Sequence, residues 1–105
     1  MIESQTIALT DFISPCEQNI VSDMDGEKVM LSIRNGKYYN LGTVGGRIWD
    51  SLGSTISARQ IVDLLMAEYD VERTVCEQHV ISFLEHLWKE GLILVNQENS
   101  ISIHA

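Results

Sequence analysis

Few residues in this chain are of the types that do chemistry, and their spacing limits what they can do. Cys76, His79 and His86 stand at i, i+3 and i+10. The first two share a face if the segment is helical. A metal site needs three or four converging ligands, however, and His86 lies more than two turns further along. The three read as a half-buried cysteine and two histidines at the rim of a helix. No hydrolytic triad assembles: there is no G-x-S-x-G, and no set of Cys, His and acid has a pocket to desolvate a substrate. The acid pairs Asp23/Asp25 and Glu72/Glu77 read as solvated charges on a turn and a helix surface. Gly42, Gly45 and Gly46 lack both the lysine of a phosphate loop and the dinucleotide spacing. The chain is therefore expected not to be an enzyme and to need neither cofactor nor metal. Tyr38-Tyr39 allows two readings that the sequence leaves open. Alternate tyrosines can pack one on each face of a sheet, with Tyr38 on the helices. Alternatively, the strand carrying them offers its unpaired amides and carbonyls to an extended peptide.

The elements that must position these residues divide the chain near residue 42. Asp25-Gly26 and Asn35-Gly36 separate three apolar runs, Asn19–Met24, Glu27–Ile33 and Lys37–Leu41. Both dipeptides favour two-residue type I′ turns, in which both central residues take positive φ. Two such hairpins in series give a three-stranded antiparallel meander. Tight turns fix register. Asp23 is expected opposite Lys28 and Val21 opposite Met30. In the second hairpin Arg34 is expected opposite Lys37, Ile33 opposite Tyr38, Leu31 opposite Asn40 and Met30 opposite Leu41. One face then carries Ile20, Val29, Leu31, Ile33 and Tyr38, and the other Val21, Met30, Tyr39 and Leu41. Both outer strands are edges, and Lys37–Leu41 invites pairing with another chain.

The second half predicts three helices. Thr43 is a candidate cap for a short helix reaching Ser51 or Leu52. Ser57 is a candidate cap for a second helix through Tyr69, with Ala58, Ile61, Val62, Leu65 and Tyr69 at helical spacing. A third runs from about Glu72 to Glu90 with Cys76, Val80, Phe83, Leu84 and Leu87 along one stripe, and Gly91 ends it. Two short β-like pieces, Leu92–Val95 and Ile101–His104, close the chain. The predicted fold is α+β: a three-stranded antiparallel β-meander followed by a three-helix winged helix-turn-helix with a C-terminal β-wing. It is read as one domain over residues 1–105, with an N-terminal arm at 1–18, the meander at 19–41 and the winged-helix part at 43–105.

Composition and charge narrow the function. The chain has 105 residues, enough for one domain, and 45% are apolar, too many for a disordered chain. Seven basic against fifteen acidic residues give a net charge of −8, which argues against nucleic acid and anionic lipid as partners. A winged helix suggests DNA binding, but from Thr43 to Ala105 there are four basic residues and nine acidic ones. The helix that would enter the groove carries Glu72, Glu77, Glu85 and Glu90. The longest apolar run, Gly91 to Val95, is far short of the ~18 residues of a membrane span. The N-terminus lacks the basic and apolar regions of a secretory signal. Two cysteines do not make a disulfide framework, and a cytoplasmic setting is expected.

The run DGEKVMLSIRNGKYYNLGTVGGRIWDSL, then ISARQIVDLLMAEYDVE, then HVISFLEHLWKEGLI, resembles the PqqD-like family. The shared pattern is an Asp-Gly turn, an aliphatic strand, a Gly-Lys-Tyr-Tyr strand, a small-residue helix with Ile-Trp, and a helix ending Phe-Leu-x-x-Leu-x-x-x-Gly-Leu. It covers Ile20 to about Ile93. The resemblance implies a RiPP recognition element: a non-catalytic adaptor that binds the leader region of a ribosomally made precursor peptide. A chain of this size looks most like the stand-alone leader-binding B protein of a lasso-peptide pathway, partner to a leader peptidase or other modifying enzyme. The alternatives are a pyrroloquinoline quinone-type chaperone of another precursor pathway, or a winged-helix interaction or DNA-binding domain. The implied binding mode adds the leader as a strand to Lys37, Tyr38, Tyr39, Asn40 and Leu41, in a groove walled by Val75, Cys76, His79 and Phe83. The family often has Asp before the Val of its Asp-Val-x-x-Phe-Leu pattern; this chain has His79 there.

Overall fold

The computed structural model describes residues 6–96. The chain runs β1 (Phe12–Pro15), β2 (Asn19–Met24), β3 (Glu27–Ser32), β4 (Tyr38–Leu41), α1 (Gly42–Ser51), β5 (Ile56–Ser57), α2 (Ala58–Glu68), α3 (Arg73–Lys89) and β6 (Ile93–Asn96). It is an α+β fold with three helices and two antiparallel three-stranded sheets, ordered β2-β3-β4 and β5-β1-β6.

The first sheet is the expected meander. Asp25 and Gly26 take φ of 56° and 84°, as a type I′ turn requires, and Asp23 pairs with Lys28 and Val21 with Met30 as the turn dictates. The second hairpin departs from expectation by two residues. Its pairs are Val29 with Asn40, Met30 with Tyr39, and Leu31 with Tyr38. Gly36 takes φ 73° but Asn35 does not take positive φ, so Asn35-Gly36 is not a type I′ turn. The Ser32 amide instead donates to the Lys37 carbonyl at 2.9 Å, and residues 33–36 form a four-residue loop. The Gly36 amide closes it on the Ser32 carbonyl at 2.8 Å, and the Lys37 amide donates to the Asn35 side chain at 2.9 Å. A shift of two preserves side-chain parity, so each residue keeps its face.

The second sheet was not foreseen. Its central strand, β1, comes from the N-terminal arm and pairs with both β5 and β6. Within the described residues β6 therefore pairs with β1, not with a following wing strand; the expected piece Ile101–His104 lies outside them. The arm also closes α2. The first amides of a helix lack intrahelical partners, and here Ala58 donates to the Asp11 carbonyl and Arg59 to the Leu9 carbonyl. Ser57 and Gln60 complete a capping box. α1 begins at Gly42 rather than being capped by Thr43, and the Asn40 side chain takes the Gly42 amide. α3 ends in a Schellman motif, with Gly91 at φ 78° and the Leu92 amide returned to the Leu87 carbonyl. One core joins both sheets and all helices through Ile13, Met30, Ile48, Ile61, Leu84 and Ile93, all buried.

Candidate peptide-binding groove

β4 is an edge strand of the first sheet. Hydrogen bonding alternates along an antiparallel ladder. Because Ser32 donates to Lys37, the groups of Lys37 and Tyr39 face β3, and the amides and carbonyls of Tyr38 and Asn40 point off the sheet. The side chains divide the other way from expectation. Tyr38 is 74% exposed, whereas Tyr39 packs against the core. It is Tyr39, beside Met30, that faces the helices; both sheet faces are apolar, so alternation alone did not say which one they cover.

Tyr39 anchors one end of a groove between β4 and α3. Its hydroxyl donates to Glu90 Oε1 at 2.8 Å and accepts from Asn35 Nδ2 at 2.9 Å. Lys37 Nζ lies 3.5 Å from the same carboxylate. Burial, and then the hydrogen bond to Glu90, push the Tyr39 phenol up. The same bond, aided by Lys37, holds the Glu90 carboxyl below the usual carboxylate range.

At the other end the groove opens into an apolar cavity of about 390 Å³. β4 and α1 supply Leu41, Val44, Gly45 and Ile48; α2 and the following loop supply Leu65, Tyr69 and Val71; α3 supplies Cys76, His79, Val80 and Phe83. The small residues of α1 make this packing possible. A Cβ on Gly45 would stand 2.9 Å from the Phe83 ring, and one on Gly46 2.8 Å from Lys28 Cβ. Glycine lets α1 approach β3 on one side and lets the Phe83 ring seat against it on the other. Cys76 is buried in the cavity wall, and burial pushes its thiol up.

Of the residues expected in the site, Leu41, Cys76, His79 and Phe83 meet around the cavity. Tyr38 and Asn40 offer the free edge, while Lys37 and Tyr39 are tied to Glu90. Val75 stands at the surface and does not line the cavity. Val44, Tyr69, Val71 and Glu90 were missed. Val44 lies in α1, and Tyr69, Val71 and Glu90 lie at or beyond helix ends, where periodicity gives no signal of what they face. Among the described residues no group of three His, Cys, Asp or Glu could hold a metal ion, and no helix is long and apolar enough to cross a membrane. The geometry sets an open strand edge beside an apolar cavity.

The model of one protein family, coenzyme PQQ synthesis protein D (PqqD), matches residues 27–93. No curated protein matches. Among solved structures, the chain is 33% identical to TbiB1 in complex with the TbiA(beta) leader peptide, with a TM-score of 0.69 over 76% of this chain and 93% of that one. It is 27% identical to a lasso peptide synthetase B1 complexed with the leader peptide, with a TM-score of 0.67 over 78% and 96%. The PqqD truncation of Methylobacterium extorquens PqqCD, a RiPP recognition element, shares the fold at 13% identity, with a TM-score of 0.71 over 84% and 94%.

Proposed function

This chain belongs to the PqqD family, as a PqqD-like RiPP recognition element, and from that premise we propose that it is a non-catalytic adaptor for the leader region of a ribosomally made precursor peptide. The leader adds as a strand to β4, with alternate side chains entering the groove against α3. The observation that carries this reading is one juxtaposition: outward amides and carbonyls on Tyr38 and Asn40 beside an apolar cavity lined by Leu41, His79 and Phe83. The two similar chains solved with leader peptides support it. They also favour a lasso-peptide pathway, in which the adaptor hands the leader to a separate peptidase or other modifying enzyme. Residues 1–105 act as one domain, to which the N-terminal arm contributes β1, the central strand of the second sheet.

Magnitudes show where affinity must come from. Two outward residues offer four hydrogen-bonding groups, at about 0.5–1.5 kcal/mol net each. Two or three buried leader side chains add about 1.5–3 kcal/mol each. Association and peptide ordering cost about 4–15 kcal/mol. Backbone pairing, about 2–6 kcal/mol in all, meets at most the low end of that cost, so binding rests on the side chains that fill the cavity. Recruitment then works by raising the local concentration of the precursor at the enzyme.

The test is fluorescence anisotropy of a labelled leader peptide from the precursor encoded beside this protein, with a scrambled leader as control. Micromolar or tighter binding of the true leader alone is expected. Equal binding of both, or of neither by a folded sample, overturns the reading.

A further inference from the structure

A leader strand lying along β4, the binding mode proposed above and the premise here, is read at fixed intervals. The amides and carbonyls of Tyr38 and Asn40 face it, and those of Lys37 and Tyr39 face β3. Lys37, Tyr39 and, by the same alternation, Leu41 therefore sit at non-hydrogen-bonded positions toward the leader. There directly opposite residues stand closest, about 4.5 Å between Cα atoms, and share a face of the sheet. The leader residues opposite these three turn toward α3 with them, and strand geometry spaces them two apart.

The three positions differ in surroundings. Leu41 lines the apolar cavity, and the Tyr39 ring packs against the core. At Lys37 the groove turns polar. The Lys37 side chain is 63% exposed against 22% for Glu90, and their 3.5 Å separation is longer than a hydrogen bond. The same Glu90 oxygen is already held at 2.8 Å by the Tyr39 hydroxyl. His86, one turn earlier on the same face of α3, acts on that carboxyl too. The Lys37 ammonium thus has three donors and one loose partner, and it stands beside the open edge. We infer that Lys37 is a specificity-determining residue, which selects leaders carrying an acidic side chain four residues from the apolar one that fills the cavity. An exposed cross-strand pair of opposite charge is worth only a few-fold in affinity, so the acid sorts leaders while the cavity holds them.

Fluorescence anisotropy with substituted leader peptides tests this. The probe is the leader of the precursor encoded beside this protein, and alanine substitution along it locates the cavity anchor as the position of largest loss. Glu and Lys are then compared four residues before and four residues after the anchor, one of which faces Lys37 whichever way the strand runs. At that position Glu should bind about threefold or more tighter than Lys. The net charge of −8 works against an acidic peptide, so such a preference is local. Lys37→Gln should erase it and Lys37→Glu should reverse it. Thermal unfolding confirms that both variants are folded, and Lys37→Gln stands as the test if Lys37→Glu is not. No preference for Glu at either position, or one that survives Lys37→Gln, overturns the inference and leaves leader binding standing. A leader that does not bind at all overturns the binding mode and this inference with it.

Discussion

Phe83 is half core and half site, and its seat depends on a residue with no side chain. Phe83→Ala is expected to weaken leader binding by about 1 kcal/mol or more, with thermal unfolding measured beside it to separate lost contact from lost packing. Gly45→Ala should act on the same ring from behind. The new Cβ would stand 2.9 Å from it, and overpacking of this kind costs about 1–3 kcal/mol. Urea titration and anisotropy should therefore both register the change. Glu90 carries a different expectation. The hydrogen bond from Tyr39 holds its carboxyl below the ordinary range, so what it contributes to stability is complete above the unfolded-state pKa and fades as the pH falls through the folded one. Tyr39→Phe should destabilise the protein at neutral pH, and its difference from wild type should narrow in acid. A pH-independent difference in urea midpoint would contradict the assignment.

At the scale of elements, β4 makes the sharpest claim, because neighbouring residues on one strand should respond oppositely. Proline donates no hydrogen bond. Tyr38→Pro removes an amide that points off the sheet, so the protein should stay folded and lose leader binding, whereas Tyr38→Ala should retain most of it. Tyr39→Pro removes a ladder bond to β3 and should cost stability first. The same strand shows what the sequence could and could not convey. Asp25-Gly26 determined the first register because both residues accept positive φ. Asn35-Gly36 misled by two residues because the Asn35 side chain was spent on the Lys37 amide, leaving only Gly36 left-handed. Tyr38 and Tyr39 were placed on the correct opposite faces, but which face meets the helices depends on packing that a strand apolar on both sides does not reveal.

For the molecule as a whole, α2 was legible from its periodicity and its Ser57 cap and α3 from its stripe and Gly91, while the start of α1 and the second sheet were not. β1 has no turn signal, and its partners lie at residues 56–57 and 93–96, separations over which local pattern carries no information. The groove inherits that asymmetry. Its α3 wall was readable as a stripe, while Val44, Tyr69 and Val71 arrive through tertiary packing alone. The net charge of −8 is spread over the surface, and Lys28, Lys37, Arg47 and Arg73 are each paired with an acid. Leader affinity resting on apolar anchors should therefore change little with salt. A steep fall in anisotropy-measured affinity as salt rises would mean that charges, not the cavity, hold the peptide.

The alternation along β4 also amounts to a built-in spectroscopic label. In the free protein the Tyr38 and Asn40 amides are open to water and should exchange their hydrogens quickly, while Tyr39, bonded to β3, exchanges slowly. A leader strand added at this edge would slow the first two and leave the third as it was. Residue-resolved exchange would then show protection on every second amide, a pattern that a ligand lodged only in the cavity has no means of producing.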